Sequence, residues 1–466
     1  TSNGAGRPKG LEESDLLLSV SPSFRLTRRG PDFSLSAEAG ADLLYATGGT
    51  RRNRAFPLVH AGATGTLVER LLFLDASLDV RQYELDPYSG RGDAGSTDNQ
   101  RTSTVARISP RIERDLTPRI RLLAKVEDTL TKYAGNSASN LETRQGLIRL
   151  DAKPQPLGFS AELSRVDTLY DQTAIGGWTI DTLRAGLDYA FDDQFLIGLL
   201  GGVDRSKFAL SSHTDSISGL RMLWSPGPRT RFESTVERRF FGNAWNASFR
   251  HRMPWLAVSV RTVREPVTTT GGLGAATEGQ NLTEFLDAIL TTRFPDPIER
   301  AKLVESLITS RGLDSTLAGA LNTLADYAQL RTGGDIGFVL LGPRDALSFS
   351  LYASSLRQLK RTDGQDILQG SFAADSRQYG TQLEYNRRLS PTASLVAAVR
   401  WSRIDGVGVR KNDSTTDNTY RLSWNQGLSP RSDVSLGAQF RRVRTNVNLG
   451  SSFDDYSLFT GLVHRF

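Results

Sequence analysis

The residue types that could do chemistry in this chain are mainly arginines and carboxylates. Histidine occurs only four times, as His60, His213, His251 and His464, and cysteine does not occur. None of these histidines stands at a metal-ligand spacing or beside a Gly-x-Ser-x-Gly nucleophile elbow. The sequence therefore predicts no catalytic residues, no metal site, no cofactor and no enzymatic activity.

The charged residues occupy alternate positions of short segments. In residues 120–127 the even positions are apolar, whereas Arg121, Lys125 and Glu127 stand at odd positions. Residues 72–81, 182–189 and 434–441 follow the same rule. Because successive side chains of a β-strand point to opposite faces, each segment predicts a strand with one apolar and one wet face. A transmembrane barrel and tandem soluble β-sandwich domains both give this alternation.

The connections between these segments favour the barrel. Short connections containing Pro or Asp, such as residues 30–32 and 116–118, alternate with long polar ones, such as residues 86–102 and 406–418. Short turns on one side and long loops on the other are typical of bacterial outer-membrane barrels. The sequence also has no apolar run long enough for a membrane-spanning helix. We predict an all-β fold in which residues 1–466 form one large antiparallel transmembrane β-barrel in the bacterial outer membrane.

The strand count is a separate prediction. The turn signals divide the chain into about twenty-one strands, within a range of about 20–22. Single-chain bacterial barrels have an even number of strands. Either a strand ahead of Thr1 is missing or is supplied by something else, which would give about twenty-two, or one element is wrongly split or merged.

The end of the chain carries a candidate assembly signal. Alternate residues of the last segment form one apolar face that ends in a terminal aromatic residue, as outer-membrane barrels do. We predict that the barrel-assembly machinery recognises this face through Leu458, Leu462, His464 and Phe466.

One segment departs from the β pattern. Residues 279–332 show helical periodicity, with three apolar stripes that begin at Leu282, Ile298 and Leu317. Asp296 as N-cap and Pro297 at the first helical position frame the second helix. We predict a helical insertion that acts as a lid or plug of the lumen. A helical loop that only packs on the outer rim is the alternative.

Basic side chains dominate the wet face of the barrel, in a chain that has 57 basic and 51 acidic residues. Because guanidinium groups bind carboxylates and phosphates at two points, these side chains predict contacts with anions in the lumen. Cross-strand ion pairs that only stiffen the wall are the alternative. Nucleic acid is not an expected partner, since the charges are spread over many strands. The predicted contacts are Arg107, Arg111, Arg121, Lys125, Arg149, Arg184, Arg221, Arg231, Arg239, Arg250, Arg252, Arg261, Arg400, Arg421 and Arg441.

Three runs of the sequence resemble a known family. Residues 238–252 (RRFFGNAWNASFRHR), 294–300 (FPDPIER) and 389–394 (LSPTAS) are similar to the PEP-CTERM system-associated outer-membrane proteins. The resemblance extends over most of the chain, but an opening strand expected for the family is absent here. It implies an outer-membrane barrel that works with exopolysaccharide export machinery.

These observations together predict a conduit that secretes an anionic exopolysaccharide across the outer membrane. A structural shell that encloses or anchors another envelope protein and a general anion-selective diffusion porin are the alternatives. The expected partners are outer-membrane lipid, the barrel-assembly machinery, the polysaccharide and periplasmic export components.

Overall fold

A computed structural model gives the fold of the chain. It describes residues 1–3, 6–48, 53–84, 88, 100–135, 139–171, 177–208, 211–267, 281–291, 293–311, 317–320, 328–359, 375–429, 431–447 and 452–465.

Every described strand belongs to a single antiparallel sheet of 22 strands. The first eleven are β1 Leu17–Val20, β2 Ser23–Arg29, β3 Phe33–Ala46, β4 Arg54–Val68, β5 Leu72–Glu84, β6 Gln100–Asp115, β7 Ile120–Tyr133, β8 Leu141–Ala152, β9 Leu157–Tyr170, β10 Trp178–Ala190 and β11 Phe195–Phe208. The others are β12 Ser211–Gly227, β13 Thr230–Arg239, β14 Gly242–Arg252, β15 Leu256–Val267, β16 Gln329–Leu341, β17 Asp345–Gln358, β18 Ser376–Arg388, β19 Ala393–Gly406, β20 Ser414–Ser429, β21 Ser432–Thr445 and β22 Phe453–His464.

The strands pair in chain order from β3 to β22, whereas β1 and β2 both pair with β3 in one continuous register. Ser21 and Pro22 separate β1 from β2. Proline has no N–H to donate to the ladder, although the Pro22 carbonyl still accepts from the Ala41 N–H at 3.2 Å. These two strands are therefore halves of one pass through the wall, which makes twenty-one passes in all. The predicted all-β barrel of about 20–22 strands is confirmed.

The two faces of the sheet differ as the alternation predicts. Large apolar side chains stay exposed on the outer face, where Leu199 is 62% and Leu458 84% exposed. On the inner face, charged groups such as Asp204 are buried. One sheet with an exposed apolar face fits hydrocarbon and not water, so the tandem β-sandwich alternative is wrong. The protein is an outer-membrane β-barrel, as predicted.

Aromatic side chains mark both borders of the lipid-facing surface. Towards the end with long connections, Phe440 stacks between Tyr420 and Tyr456, with ring centroids 6.0 and 4.7 Å apart. Towards the other end, Tyr189 packs edge-on against Phe191 at 4.9 Å. Such girdles sit at the two membrane interfaces of outer-membrane barrels.

The connections alternate in length with two exceptions. Residues 209–210 join β11 to β12, and Phe240 and Phe241 join β13 to β14, on the side where the other connections are long. Phe240 and Phe241 are buried in an apolar cluster with Trp178 and Phe208 at the ends of β10 and β11. This packing explains why the chain needs no longer loop there.

Two helices lie between β15 and β16, namely α1 Leu282–Leu290 and α2 Pro297–Arg311. The Asn281 side chain caps α1 by accepting from the Thr283 N–H at 2.8 Å. Neither described helix has the length and apolar character to cross a bilayer.

The predicted insertion differs from the structure at its end. Residues 317–320 are not helical, residues 321–327 lie outside the described part of the chain, and β16 already begins at Gln329. The third predicted helix therefore does not begin at Leu317, and residues 329–332 belong to the barrel wall.

The lipid-facing assignment predicts a stability difference. Replacing Leu199 by Arg puts a cation on the apolar face and is expected to destabilise the barrel by about 2–4 kcal/mol. Asn246, which is exposed on the lumen face, provides the matched control because Asn246→Arg leaves the new charge in water. Urea titration in lipid vesicles measures both variants. Equal losses of unfolding free energy would contradict the assignment.

Candidate functional site

The lumen face of the wall is a network of ion pairs. Of the fifteen predicted lumen contacts, eleven form an ion pair with a carboxylate. These eleven are Arg107, Arg111, Arg121, Lys125, Arg149, Arg184, Arg221, Arg231, Arg239, Arg261 and Arg441. For these residues the structure favours the stiffening role, because their charge is already compensated within the wall.

The most buried of these pairs joins β11 to β13. The Arg239 guanidinium lies 2.7 Å from a carboxylate oxygen of Asp204, whose side chain is fully buried. The Thr182 hydroxyl donates to the same carboxylate at 2.8 Å. Because these charges are removed from water, their mutual contacts have to replace hydration.

A second pair reaches across two strands. Arg184 of β10 contacts Glu162 on neighbouring β9 at 3.2 Å and Glu237 on β13 at 2.9 Å. On the two strands between β10 and β13, Gly202 lies opposite Arg184 and Gly219 lies opposite Glu237 on the lumen face. A Cβ atom at Gly219 would lie 2.8 Å from the Glu237 side chain. The glycines thus leave the space in which the two charged side chains meet.

Four of the predicted contacts have no carboxylate partner among the described residues. Arg400 donates to the Gln382 side-chain oxygen at 3.1 Å, and Arg421 lies 4.7 Å above the Phe459 ring. Arg252 donates only to backbone carbonyls, and Arg250 has no hydrogen-bonding or ionic partner in the described part of the chain. The candidate anion contacts therefore narrow to Arg250, Arg252, Arg400 and Arg421.

Helix α1 lies inside the barrel. Its Leu286 is fully buried and packs in a cluster with Ala257 and Val339, which share the lumen face of β15 and β16 with the ion pair Arg261–Asp335. Ala257 lies near the beginning of β15 and Val339 near the end of β16, where the short connections are. Helix α1 is therefore on the periplasmic side of the lumen and not on the outer rim. Its predicted role as a lid or plug stays a prediction.

Two arginines hold the helices in place. Arg252 of β14 donates to the Ala288 carbonyl of α1 at 3.4 Å. Arg300 of α2 contacts the Asp287 carboxylate of α1 at 2.6 Å. The two helices are thus bound to each other, and α1 is bound to the wall.

A cavity of about 650 Å³ separates α1 from strands β13 to β15. Two of its arginines are compensated, since Arg231 pairs with Glu233 and Arg261 pairs with Asp335. The unpaired Arg250 lines the same cavity from the wall, and the acidic Glu284 lines it from α1. The lining includes Arg231, Glu233, Ser248, Arg250, Arg252 and Glu284. This cavity is the candidate functional site, because it combines the unpaired cation of Arg250 with an apolar surface of α1.

A residue from a long connection also reaches across the outer end of the lumen. Tyr88, from the connection between β5 and β6, is buried and donates its hydroxyl to the Asp375 carbonyl at 2.9 Å. The Thr415 hydroxyl donates to the Tyr88 carbonyl at 2.6 Å, and the Arg410 guanidinium lies 4.2 Å above the Tyr88 ring. These contacts join distant parts of the wall and narrow the entrance.

Sequence reasoning missed some of these residues. Asp204 stands two residues after Gly202 on the wet face of β11, so the alternation could have placed it on the lumen face, although not beside Arg239. Tyr88 belongs to a long polar loop, and no local pattern predicts its contacts.

The predicted assembly signal is only partly within the described residues. Leu458 and Leu462 face lipid, and His464 Nδ1 lies 2.9 Å from the Ser432 hydroxyl, whereas Phe466 lies outside the described part of the chain. Its recognition by the assembly machinery stays a prediction. His251 Nδ1 lies 2.7 Å from the Thr230 hydroxyl, and no group of three metal-ligand side chains occurs among the described residues.

Several solved structures share this fold. The F3-3 variant of the FrpB iron transporter from Neisseria meningitidis is 11% identical, with a TM-score of 0.52 over 98% of this chain and 82% of its own. Its F5-1 variant is 13% identical, with a TM-score of 0.50 over 96% and 80%. The ferric preacinetobactin receptor BauA from Acinetobacter baumannii is 9% identical, with a TM-score of 0.50 over 97% and 78%. No protein-family model matches the chain, and no curated protein is similar to it.

The predicted export of an exopolysaccharide is wrong. The barrels named above are an iron transporter and a ferric preacinetobactin receptor, not polymer exporters. The structure adds a physical reason. Eleven of the fifteen predicted contacts are bound to carboxylates and the lumen contains α1, so the described residues present no continuous row of free cations to a sliding polymer. The shell and the diffusion porin, which were alternatives to export, gain no support from these comparisons.

The buried pair gives a testable prediction about stability. Asp204→Asn removes the carboxylate that is hydrogen-bonded to the Arg239 guanidinium and is expected to cost about 3–5 kcal/mol of unfolding free energy. Glu233→Gln removes the carboxylate of a half-exposed pair and is expected to cost less than about 1 kcal/mol. Urea titration in vesicles compares the two. A smaller loss for Asp204→Asn would show that the buried pair does not stabilise the wall.

The position of α1 gives a second prediction. Leu286→Gln places an amide in the apolar contact with the wall, removes packing worth about 2–5 kcal/mol and is expected to release α1. Thr283→Gln, on the exposed side of the same helix, is the control. Single-channel recording in a planar bilayer should give a higher conductance for Leu286→Gln only. Equal conductance of both variants and the natural chain would mean that α1 does not narrow the lumen.

Proposed function

We propose that this protein is an outer-membrane receptor barrel that takes up an anionic metal chelate, of the ferric-chelate class, from outside the cell. It is a transport protein and not an enzyme. The observation that carries the proposal is the fold shared, over nearly the whole chain, with an iron transporter and a ferric preacinetobactin receptor. The low identity limits that likeness to the fold, so the ligand has to be argued from the lumen.

The lumen cavity supports an anionic ligand. Arg250 makes no hydrogen bond or ion pair among the described residues, and Arg252 stands two residues further along the same face of β14. Ferric chelates built from carboxylate or catecholate groups carry net negative charge and planar oxygen pairs. Such pairs match the two-point geometry of a guanidinium group.

The contents of the lumen support a receptor more than an open pore. Tyr88 and its partners narrow the outer mouth, and α1 occupies the periplasmic side. A solute that passes between them meets the cavity beside Arg250. A narrow path with a binding site suits selective uptake of a scarce compound.

The resemblance to the PEP-CTERM system-associated proteins stays a prediction about relatives of this chain. The outer-membrane barrel that it implies agrees with the structure. The export role that it implies is not retained.

Uptake of radioactive iron tests the proposal. Iron-starved cells with and without the gene are supplied with ferric citrate or with a ferric tricatecholate. We expect deletion of the gene to abolish the additional uptake of at least one of them, and Arg250→Gln to lower it about tenfold, because a charged hydrogen bond contributes about 1.5–3 kcal/mol.

Arg107→Gln is the matched control, because Arg107 is compensated by Glu127 elsewhere in the wall. It should leave uptake within about twofold of the natural chain, and immunoblots of outer membranes should show equal amounts of each variant. Uptake of both chelates that is unaffected by the deletion would refute the proposed function.

A further inference from the structure

The lipid-facing surface of the barrel contains a groove that crosses strands β5 to β10. Its volume is about 500 Å³. Gly146 of β8 lies in its floor, since a Cβ atom added there would meet no atom within 4 Å in the described part of the chain. The groove is therefore open to the membrane at this point. Its aliphatic lining on the outer face consists mainly of Pro110, Ile112, Ala124, Val126, Ile148 and Leu163.

A charged pair forms one end of the groove. Arg165 of β9 lies directly opposite Gly146 in the cross-strand register, and its guanidinium lies 3.5 Å from the Asp181 carboxylate of β10. Both residues line the groove and share the outer face of the sheet with Leu163 and Leu183. The pair therefore faces the membrane and not the lumen.

The groove rises from the periplasmic side towards the outer side. Leu72, which lines its other end, directly follows the short connection of residues 69–71. Asp181 stands eight residues further towards the outer side than Tyr189, which marks the periplasmic aromatic border. Eight residues span about 26 Å along a strand, or about 20 Å of depth at the usual tilt, in an apolar band about 25 Å tall. The charged end therefore lies near the outer border of the hydrocarbon.

Basic residues continue this charged end along the outer border. Arg205 of β11 lies opposite Asp181, and Lys207 stands two residues further towards the outer side. Neither side chain has an ionic or hydrogen-bonding partner among the described residues. In the opposite wall the same border carries the aromatic row around Phe440. This part of the border thus presents cations to the membrane instead of aromatic rings.

A further arginine flanks the groove on the other side. Arg144 of β8 is exposed and lies diagonally across from Arg165, at a spacing of about 7–8 Å. Its guanidinium is held by the Glu142 carboxylate at 2.5 Å, which leaves its remaining donors for another acceptor. Guanidinium groups bind phosphate oxygens at two points, and their attraction to an anion is stronger at the border of the hydrocarbon than in water.

We propose that the groove binds one phosphorylated lipid of the outer leaflet. An acyl chain lies over Gly146 between the aliphatic side chains, and a phosphate of the headgroup contacts Arg165, with Arg144 and Arg205 on either side. A second copy of the barrel would bring another convex wall and leave the groove unfilled, whereas a flexible chain fills it. Because the lipid lies outside the wall, its binding does not depend on the ligand proposed for the lumen.

Lipid binding by the purified full chain tests the phosphate contact. Diphosphoryl lipid A and the same lipid without its phosphates are titrated in detergent, and native mass spectrometry gives both dissociation constants. We expect the phosphorylated lipid to bind at least tenfold more tightly, and Arg165→Gln to remove most of this difference. Arg442→Gln, at an outer-face arginine of the opposite wall that pairs with Asp454 at 3.1 Å, should keep it. Equal binding of the two lipids, or equal losses in both variants, would overturn the proposal.

Filling the groove tests the acyl-chain contact. Gly146→Leu places a side chain where the acyl chain lies and should weaken binding of both lipids about tenfold, which corresponds to the loss of about two buried methylene groups. Gly201→Leu adds the same side chain to the outer face of β11, where its Cβ atom comes no closer than 4.0 Å to another residue, and should change binding less than about twofold. Gels run without heating verify that both variants are folded. Unchanged binding in Gly146→Leu would show that the groove holds no chain.

The alternative occupant of this face is a second copy of the protein. The chain has no cysteine, so Gly146→Cys creates a single reactive position in the groove. A short bismaleimide added to isolated outer membranes should leave the protein monomeric, because lipid and not protein covers this position. A crosslinked dimer would identify the face as an interface between copies and would overturn the proposal.

Discussion

The structure depends on the requirement that every backbone N–H and C=O group in hydrocarbon has a hydrogen-bonding partner inside the protein. A β-sheet satisfies this requirement only when it has no free edge. The antiparallel ladder from β3 to β22 meets it strand by strand. Thr1 and Asp15 exchange backbone hydrogen bonds ahead of β1, and the Ser2 N–H donates to the Tyr456 carbonyl of β22.

The same requirement explains the charge distribution. Since the lipid-facing band has to be apolar, the ion pairs described above lie on the lumen face, where charged residues are close enough to pair across strands. Other pairs, such as Arg165 with Asp181, share the outer face with Leu163 and Leu183. Arg239 with Asp204 and Arg184 with Glu237 show that several of these pairs are buried in a polar network. Most lumen arginines are therefore components of the wall, and the few without carboxylates stand out as candidates for ligand contact. Arg250 is the clearest, because it faces a cavity and has no partner among the described residues.

The lumen is not an empty channel. Helix α1 folds back to the periplasmic side and buries Leu286 against Ala257 and Val339, while Tyr88 ties the outer loops together. Both features place protein in the path of a solute. They agree with a selective receptor for a small ligand, for which we propose an anionic ferric chelate, and they disagree with the polymer conduit that the arginine-rich strands first indicated.

The sequence by itself determined the architecture, because lipid imposes a period-two pattern that is written into each strand. Alternation at residues 120–127 and the short turn at residues 30–32 are local signals, and they were enough for the barrel, its membrane and nearly its strand count. The same alternation placed the fifteen predicted basic contacts on the lumen face. It carries no information about which carboxylate reaches which arginine, since Arg184 meets Glu237 only through the space that Gly202 and Gly219 leave.

The tertiary structure alone decided what the lumen contains. The helical period of residues 282–290 predicted α1 but not its side of the membrane, because an amphipathic helix can pack on any apolar surface. Contacts such as that between Tyr88 and Asp375 join residues far apart in the chain, and no local pattern encodes them. The proposed function rests on these long-range contacts. The sequence therefore led to the correct fold and membrane, and to a cargo and direction of transport that the folded barrel does not support.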